Sequence, residues 1–446
     1  MTGRHPPLSR IRTSAVSALP SRRAVLRTVV AGTFATAVAP LVSACGTAAG
    51  QPPGKVAVHG DNPTWAAPLK AAGAAMRSVA GLELVPEVIP SLESFEQVVK
   101  SSLRTSKTPD MLKYWSGYRL QDLARTGGIV DLSDHWASAV RKGWADPSLR
   151  SAFTYQGRVY GLPMNLAYWV FYYNPEVFRS NGLKKPQTWD DFLHAADRLK
   201  RAGITPLHGT TAGRWPAFIW FQEILSRQDP QFYDDLMNGR ARYTDAPTQR
   251  AMRTIVSFFD KDWFTPMDMD HTAAAAGLVH GKVGMVPCGT WLGSVLAGAG
   301  GKPGKNVDAF VLPMQNTRVR PAVIFESSAL VCTVKGPDRE EAYRAAGAWT
   351  NPKVMKAFSH TLQDGCPNPA VPPADTIIDG VATTAREKKA RKLNRFWELG
   401  PPELVESTVD DLAGFLIDPS SYHMVLRTMQ GRADEAWQVW KEAEGS

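Results

Sequence analysis

The stretch Lys55-Val56-Ala57-Val58-His59-Gly60-Asp61-Asn62-Pro63 sets the reading of the chain. Its Val- and Ala-rich start reads as a short apolar strand, and the Gly-Asp-Asn-Pro sequence ends it. Residues 65–79 then carry Leu69, Ala72, Met76 and Val79 near one helical face. A second strand at 82–89, a second helix at 95–103 and a third strand opened by Pro109-Asp110-Met111-Leu112 continue the alternation. Strands alternating with helices predict an α/β fold with a parallel-type sheet. Such sheets bind ligands beyond the carboxyl ends of their strands. That edge holds Asp61, Asn62 and Trp65, and after the third strand Tyr114, Trp115 and Tyr118.

Further along, a helix is expected at 120–132, running into Gly127-Gly128, and a hairpin-like turn at 156–161. An extended aromatic run over 162–173 ends at Asn174-Pro175, and a short helix at 176–181 stops at Gly182. Thr188, with Asp191 three residues on, caps a helix reaching residue 201. A strand at 203–207 is followed by a mostly helical region, 214–260, and by short strands at 278–286, 307–313 and 326–334. Helices dominate after 338, and the basic run 386–395 reads as a solvated helical face, or less simply as a contact with lipid head groups. No internal repeat or long linker divides the chain, so two lobes are either interleaved or fused without a clear boundary.

The N-terminus reads as an address. Arg22-Arg23 precede an apolar stretch at 28–39, and Val42-Ser43-Ala44-Cys45 follows Pro40. The arginine pair resembles a twin-arginine export signal, and the tetrad resembles the bacterial lipobox, which implies cleavage before Cys45 and lipidation of its thiol. A transmembrane helix is the alternative, but residues 28–44 are short for a span and Pro40 interrupts them. Residues 1–44 are thus assigned as a signal peptide and 45–54 as a lipidated tether.

The 446 residues suffice for two domains. The formal charge of +9 suggests a polyanion partner only until the six arginines among the first 44 residues are removed, which leaves +3. No nucleic-acid partner is implied. Three further cysteines, Cys288, Cys332 and Cys366, allow either one disulfide with a free thiol or three buried thiols.

Several segments together resemble the family-1 extracellular solute-binding proteins, the group that includes maltose-binding proteins. They are Pro109-Asp110-Met111-Leu112 with Gly128-Ile129-Val130-Asp131-Leu132; Gly157-Arg158-Val159-Tyr160-Gly161-Leu162-Pro163 with Tyr172-Tyr173-Asn174-Pro175-Glu176-Val177-Phe178; Pro186-Gln187-Thr188-Trp189-Asp190; and Gly281-Lys282-Val283-Gly284-Met285 with Gly289-Thr290-Trp291. They stand in the family's order; Cys366-Pro367-Asn368-Pro369 departs from its pattern. The resemblance implies a type II two-lobed fold, each lobe a mixed sheet flanked by helices, with ligand in the cleft. It assigns 55–165 and 315–355 to one lobe and 166–314 and 356–446 to the other. The chain would cross between them near 162–171, 310–314 and 352–358. It further implies a monomeric binding protein, anchored through Cys45 on the outer face of the cytoplasmic membrane. That protein would hand a mono- or oligosaccharide to the permease subunits of an ABC importer, with no cofactor, metal or catalysis. Tyr168 faces the cleft in that alignment.

Sugars offer flat C–H faces and rings of hydroxyls, which call for aromatic platforms and for Asp, Glu, Asn or Arg partners. All fourteen tryptophans follow residue 45. Trp65, Trp115, Trp215 and Trp291 are the candidate platforms, and Asp61, Asn62, Arg214 and Glu326 the candidate polar partners. Each has a plainer reading. Asp61-Asn62-Pro63 equally makes a helix cap, Trp291 equally a core residue, Glu326 a solvent-facing strand residue, and Arg214 the partner of a carboxylate. Trp136, Trp144, Trp189, Trp349, Trp437 and Trp440 lie in helical patterns and suit packing. The sequence has no Gly-x-Ser-x-Gly elbow, no His-Glu-x-x-His and no phosphate loop. A secreted glycan hydrolase would need two carboxylates flanking one cleft, for which only Asp61 and Glu326 offer themselves. A ligand-sensing module uncoupled from transport is the other alternative.

Overall fold

The computed structural model describes residues 52–89 and 91–445; Arg22, Arg23 and Cys45, with the expected signal and most of the tether, lie outside the described residues. In chain order the strands are β1 (Lys55–Gly60), β2 (Glu83–Val88), β3 (Met111–Trp115), β4 (Thr154–Tyr155), β5 (Arg158–Val159), β6 (Leu162–Pro163), β7 (Ala167–Tyr173), β8 (Thr205–Leu207), β9 (Val283–Gly289), β10 (Asp308–Phe310), β11 (Ala322–Glu326), β12 (Ser328–Cys332) and β13 (Arg391–Asn394). They form two mixed sheets, ordered β2-β1-β3-β12-β6 and β13-β11-β7-β9-β8 with β10 also on β7, beside the small β4–β5 hairpin. Helices flank both sheets, giving an α/β fold of two lobes.

The first sheet begins as the sequence suggests. β1 pairs in parallel with β2 and β3. Every residue of β3 is buried, the near-continuous burial expected of a covered strand. The helix Ala66–Ala80 crosses between β1 and β2 and turns Leu69, Ala72 and Met76 into the core. In the second lobe, Thr188 and Asp191 form a reciprocal capping box at the start of the helix Trp189–Arg201. The Asp191 N–H donates to Thr188 Oγ1 at 3.1 Å, and the Thr188 N–H donates to Asp191 Oδ2 at 2.9 Å. Phe171, at the centre of β7, meets Phe192, Trp220 and Phe310.

Several expectations are corrected. The helix after β3 is Gly117–Arg125, because Gly117 takes φ +65° and lets the chain turn directly out of the strand. The strand read at 326–334 is β12, Ser328–Cys332; a separate strand, β11, ends at Glu326 and lies in the other sheet. β11 pairs with β7 and β13, β12 pairs with β3 and β6, and Ser327 alone separates them. The change of sheet therefore falls at Ser327 and not at 310–314, where β10 still pairs with β7. The third crossing follows the helix Pro352–Leu362, which packs on Ala66–Ala80, and comes at Asp364 and Gly365. The basic run 386–395 is not one helical face. The helix Thr376–Glu387 ends, and Arg391–Asn394 forms β13, parallel to β11. Cys288, Cys332 and Cys366 are free thiols, the first two buried.

The three crossings meet on one side chain. Asn165, 3% exposed, lies between β6 and β7. Its amide donates to Asp364 Oδ2 at 2.8 Å, and its side-chain oxygen accepts the Ser328 N–H at 2.9 Å. Its carbonyl accepts from the Ser327 hydroxyl. The Leu166 N–H donates to the Gly365 carbonyl at 2.8 Å, and a Cβ on Gly365 would collide with the Leu166 carbonyl.

Replacing Asn165 by Ala leaves one buried carboxylate oxygen, Asp364 Oδ2, and the Ser328 N–H without their partner, which costs about 2–3 kcal/mol. Urea unfolding of Asn165→Ala should show that loss as a lower midpoint at unchanged slope; an unchanged midpoint would refute the central place given to this residue.

Candidate functional site

The carboxyl ends of β1 and β3 bring the first group of side chains together. Lys113 is a charged residue inside a fully buried strand, with only 7% of its side chain exposed. Its ammonium donates to Asp61 Oδ1 at 2.7 Å. The same ammonium lies 5.1 Å from the Trp65 ring centre and 5.0 Å from that of Trp115. Asp61, Trp65 and Trp115 are thus gathered as the sequence suggested, around a lysine it did not single out. Asn62 is exposed and takes the plainer role of helix cap, its side-chain oxygen accepting from Thr64 N at 2.9 Å and Thr64 Oγ1 at 2.8 Å.

A second group forms where β9 and β11 end. The Trp215 ring stacks on His271 at 5.2 Å and 17°, and it lies 5.9 Å from Trp291. Burial pushes His271 down to about 4 and His208, beside it, to about 3, so both imidazoles are neutral. Glu326 ends β11 almost fully buried, paired with Arg395. Arg395 also holds Glu398, with its Nε 2.9 Å from Glu398 Oε2, and its guanidinium stands 5.8 Å from the Trp169 ring centre. Two carboxylates therefore share one guanidinium. Burial raises the Glu326 carboxyl from 4.5 to about 7; Arg395 opposes this, Glu398 and Asp364 add to it, and a hydrogen bond from the Trp291 side chain lowers it slightly.

Arg119 joins the groups. It donates to Glu96 Oε1 at 2.5 Å within its own lobe, and to Glu406 on the helix Pro402–Ile417. Its guanidinium lies 5.4 Å from the Trp115 ring centre and 4.6 Å from that of Trp397. Trp397 in turn meets Phe218, 6.2 Å away, and Phe218 meets Trp215 at 6.1 Å. A layer of aromatic rings, two of its indoles bridged by Arg119, so runs across the seam between the lobes. Tyr118 and Leu399, neighbours in sequence of Arg119 and Trp397, line a polar crevice of about 420 Å³ that both lobes share.

Two sequence candidates stand apart. Arg214 spends its guanidinium on carboxylates, with Nη1 2.8 Å from Glu406 Oε2 and Nη2 2.9 Å from Asp410 Oδ2. Tyr168 pairs with Phe325 while Ala167 pairs with Glu326, so it occupies the sheet face opposite Glu326. Burial, with Asp146 nearby, raises its phenol to about 12. Sequence reading missed Lys113, Arg119, His271, Trp397 and Arg395. Of these, only Lys113 carried a local sign, a lone charge within the apolar Met-Leu-Lys-Tyr-Trp strand.

Two mixed sheets, three crossings and an ionic and aromatic seam between the lobes define a two-lobed binding protein. Residues 63–356 match the family model described as bacterial extracellular solute-binding protein, and the chain belongs to that family. A Pyrococcus horikoshii relative named "Uncharacterized ABC transporter extracellular-binding protein" is 23% identical over 230 residues, 50% of each chain. A Brucella suis relative named "Probable sugar-binding periplasmic protein" is 26% identical over 291 residues, 61% of this chain and 63% of its own. The chain thus spans half to somewhat under two-thirds of the length of these relatives. The bacterial solute receptor AcbH, described as having an exclusive substrate preference for β-D-galactopyranose, superposes with a TM-score of 0.76 at 17% identity, over 85% of this chain and 98% of its own. That likeness shows a shared fold.

The Glu326 carboxyl binds its proton more tightly in the fold than in the unfolded chain. Its contribution to stability is present at low pH and is lost as pH rises from 4.5 to about 7. The stability difference between wild type and Glu326→Gln, measured by urea unfolding across that window, should shift against the wild type as pH rises; a flat or opposite trend would refute the assignment.

Proposed function

We propose that this protein captures a carbohydrate, a mono- or oligosaccharide, outside the cytoplasmic membrane and delivers it to the permease subunits of an ABC importer. The observation that carries the reading is the seam itself. Trp65 and Trp115 on one lobe are linked to the Trp215–Trp291 pair on the other through Lys113, Arg119, Trp397 and Phe218, and Glu326 is paired with Arg395 in the second group. Flat apolar faces interleaved with buried donors and acceptors suit a ring with C–H faces and an equatorial belt of hydroxyls. The family, the name of the Brucella relative and the preference of AcbH support a sugar as the solute. Closure would turn about residues 164–166, Ser327 and Asp364, three short segments of the kind that absorb hinge motion.

Capture without chemistry fits the carboxylates. Asp61 is held by Lys113, and Glu326 shares Arg395 with Glu398, so the pair that a glycan hydrolase would need is committed to cations. The lipobox-like Val42-Ser43-Ala44-Cys45 supports a lipid anchor on the outer face of the membrane, with a monomer tethered by the residues that follow.

A thermal-shift screen of the purified protein against a carbohydrate panel tests the solute. A hundredfold excess over the dissociation constant adds about 2.7 kcal/mol to the folded state. One sugar class should raise the melting temperature and be recovered unchanged, and Trp215→Ala and Trp291→Ala should each weaken its binding by roughly tenfold or more. No response to any sugar would remove the carbohydrate assignment, and a cleaved sugar would favour the hydrolase. Separately, Cys45→Ala should move the protein from the membrane pellet to the soluble fraction on ultracentrifugation; retention in the pellet would contradict the anchor.

A further inference from the structure

The helix Ala246–Asp260 carries two arginines one turn apart, Arg250 and Arg253. Neither has a carboxylate partner among the described residues, whereas Arg240, Arg242 and Arg391 nearby in the same lobe are all paired with aspartates. Both line an open concavity of about 630 Å³, completed by Gln228, Thr254, Ser257, Gln315 and Asn316. The wall contains no acidic group and no hydrocarbon side chain.

Its floor holds two buried polar atoms, Gln228 Oε1 and Gln315 Nε2, without a hydrogen-bond partner among the described residues. A buried donor or acceptor left unpaired is costly and implies something that satisfies it. The floor is also fixed in place. The Gln315 N–H donates to the Arg227 carbonyl at 3.0 Å, and Arg227, fully buried, is held by Glu223 at 2.9 Å. Thr254 and Ser257 direct their hydroxyl hydrogens to helix carbonyls at 3.1 and 2.6 Å. The donors left for a ligand are therefore the two guanidiniums and the amides of Gln315 and Asn316.

We propose that this concavity, lined by none of the seam residues and independent of the solute assigned to them, binds a phosphate-type oxyanion. Two guanidiniums give forked, charge-assisted donors that match tetrahedral oxyanions. The Gln315 amide supplies a further donor. Gln228 Oε1 is an acceptor and needs a hydroxyl on the ligand, which hydrogenphosphate has near neutral pH and sulfate lacks. The phosphate is either free in solution or part of a lipid head group, whose glycerol would then supply the hydroxyl.

The test uses the full chain and two probes at matched ionic strength, inorganic phosphate by calorimetric titration and phosphatidylglycerol vesicles by co-sedimentation, with sulfate and phosphatidylcholine as the paired controls. Saturable binding of phosphate over sulfate, weakened at least tenfold in the double variant Arg250→Gln/Arg253→Gln, is the expected result and identifies free phosphate. Sedimentation with phosphatidylglycerol but not phosphatidylcholine, lost in that variant without a response to free phosphate, identifies the head group. Neither response, equal binding of sulfate and phosphate, or binding that survives the double variant would overturn the proposal. Both arginines are exposed, so the variant should keep the wild-type melting temperature and report on binding alone.

Discussion

The structure depends on the buried amide of Asn165. Three chain segments pass between the sheets, and this one side chain and its carbonyl engage all of them, through Asp364, Ser327 and Ser328. An amide suits the post because it donates at one end and accepts at the other. Asp364 needs donors, and it finds three in Asn165, the Thr290 hydroxyl and the Gly365 N–H, at 2.8 Å each. Even so, burial raises its carboxyl above the ordinary aspartate value. The crossings are short, so two large sheets are joined by little backbone, and a fully paired polar knot defines where they can turn without opening a void.

Charge burial shapes the seam in the same way. A buried cation is tolerated when carboxylates and aromatic faces replace its water. Lys113 has Asp61 and two indoles, Arg119 has two glutamates and two indoles, and Arg395 has two glutamates and one indole. These ions hold the aromatic rings at set positions on each lobe, and Glu406, which accepts from Arg119 of one lobe and Arg214 of the other, ties the lobes together. A surface built this way is rigid and already desolvated. Such preorganisation lowers the ordering cost of binding. It also explains why Asp61 and Glu326 serve as fixed partners within the seam.

The local grammar of this chain was readable from residue order. The strand and turn at Lys55–Gly60, the capping box at Thr188 and Asp191, and the helix stopped before Gly182 depend on neighbours a few residues away, and all are present. So were the members of the seam whose chemistry is local, Trp65 and Trp115 at strand ends and Trp215 and Trp291 after them. β13 was not readable. Arg391-Lys392-Leu393-Asn394 has no strand preference of its own and becomes a strand because β11, some seventy positions earlier, offers it a free edge. The boundary at Ser327 was not readable either, because β11 before it and β12 after it find partners in different sheets.

The sequence by itself determined the α/β class, the order of most elements and four of the indoles of the candidate site, since hydrophobic period, caps and turn residues act over a few positions. Only the tertiary structure decided which charges meet. Arg395 reaching Glu326, Lys113 filling the space between two indoles, Arg214 committed to Glu406 and Asp410, and Asn165 joining three crossings are pairings between residues distant in the chain. An ionic side chain shows its charge in the sequence, but its partner, its burial and hence its role are set by which surfaces the fold brings together.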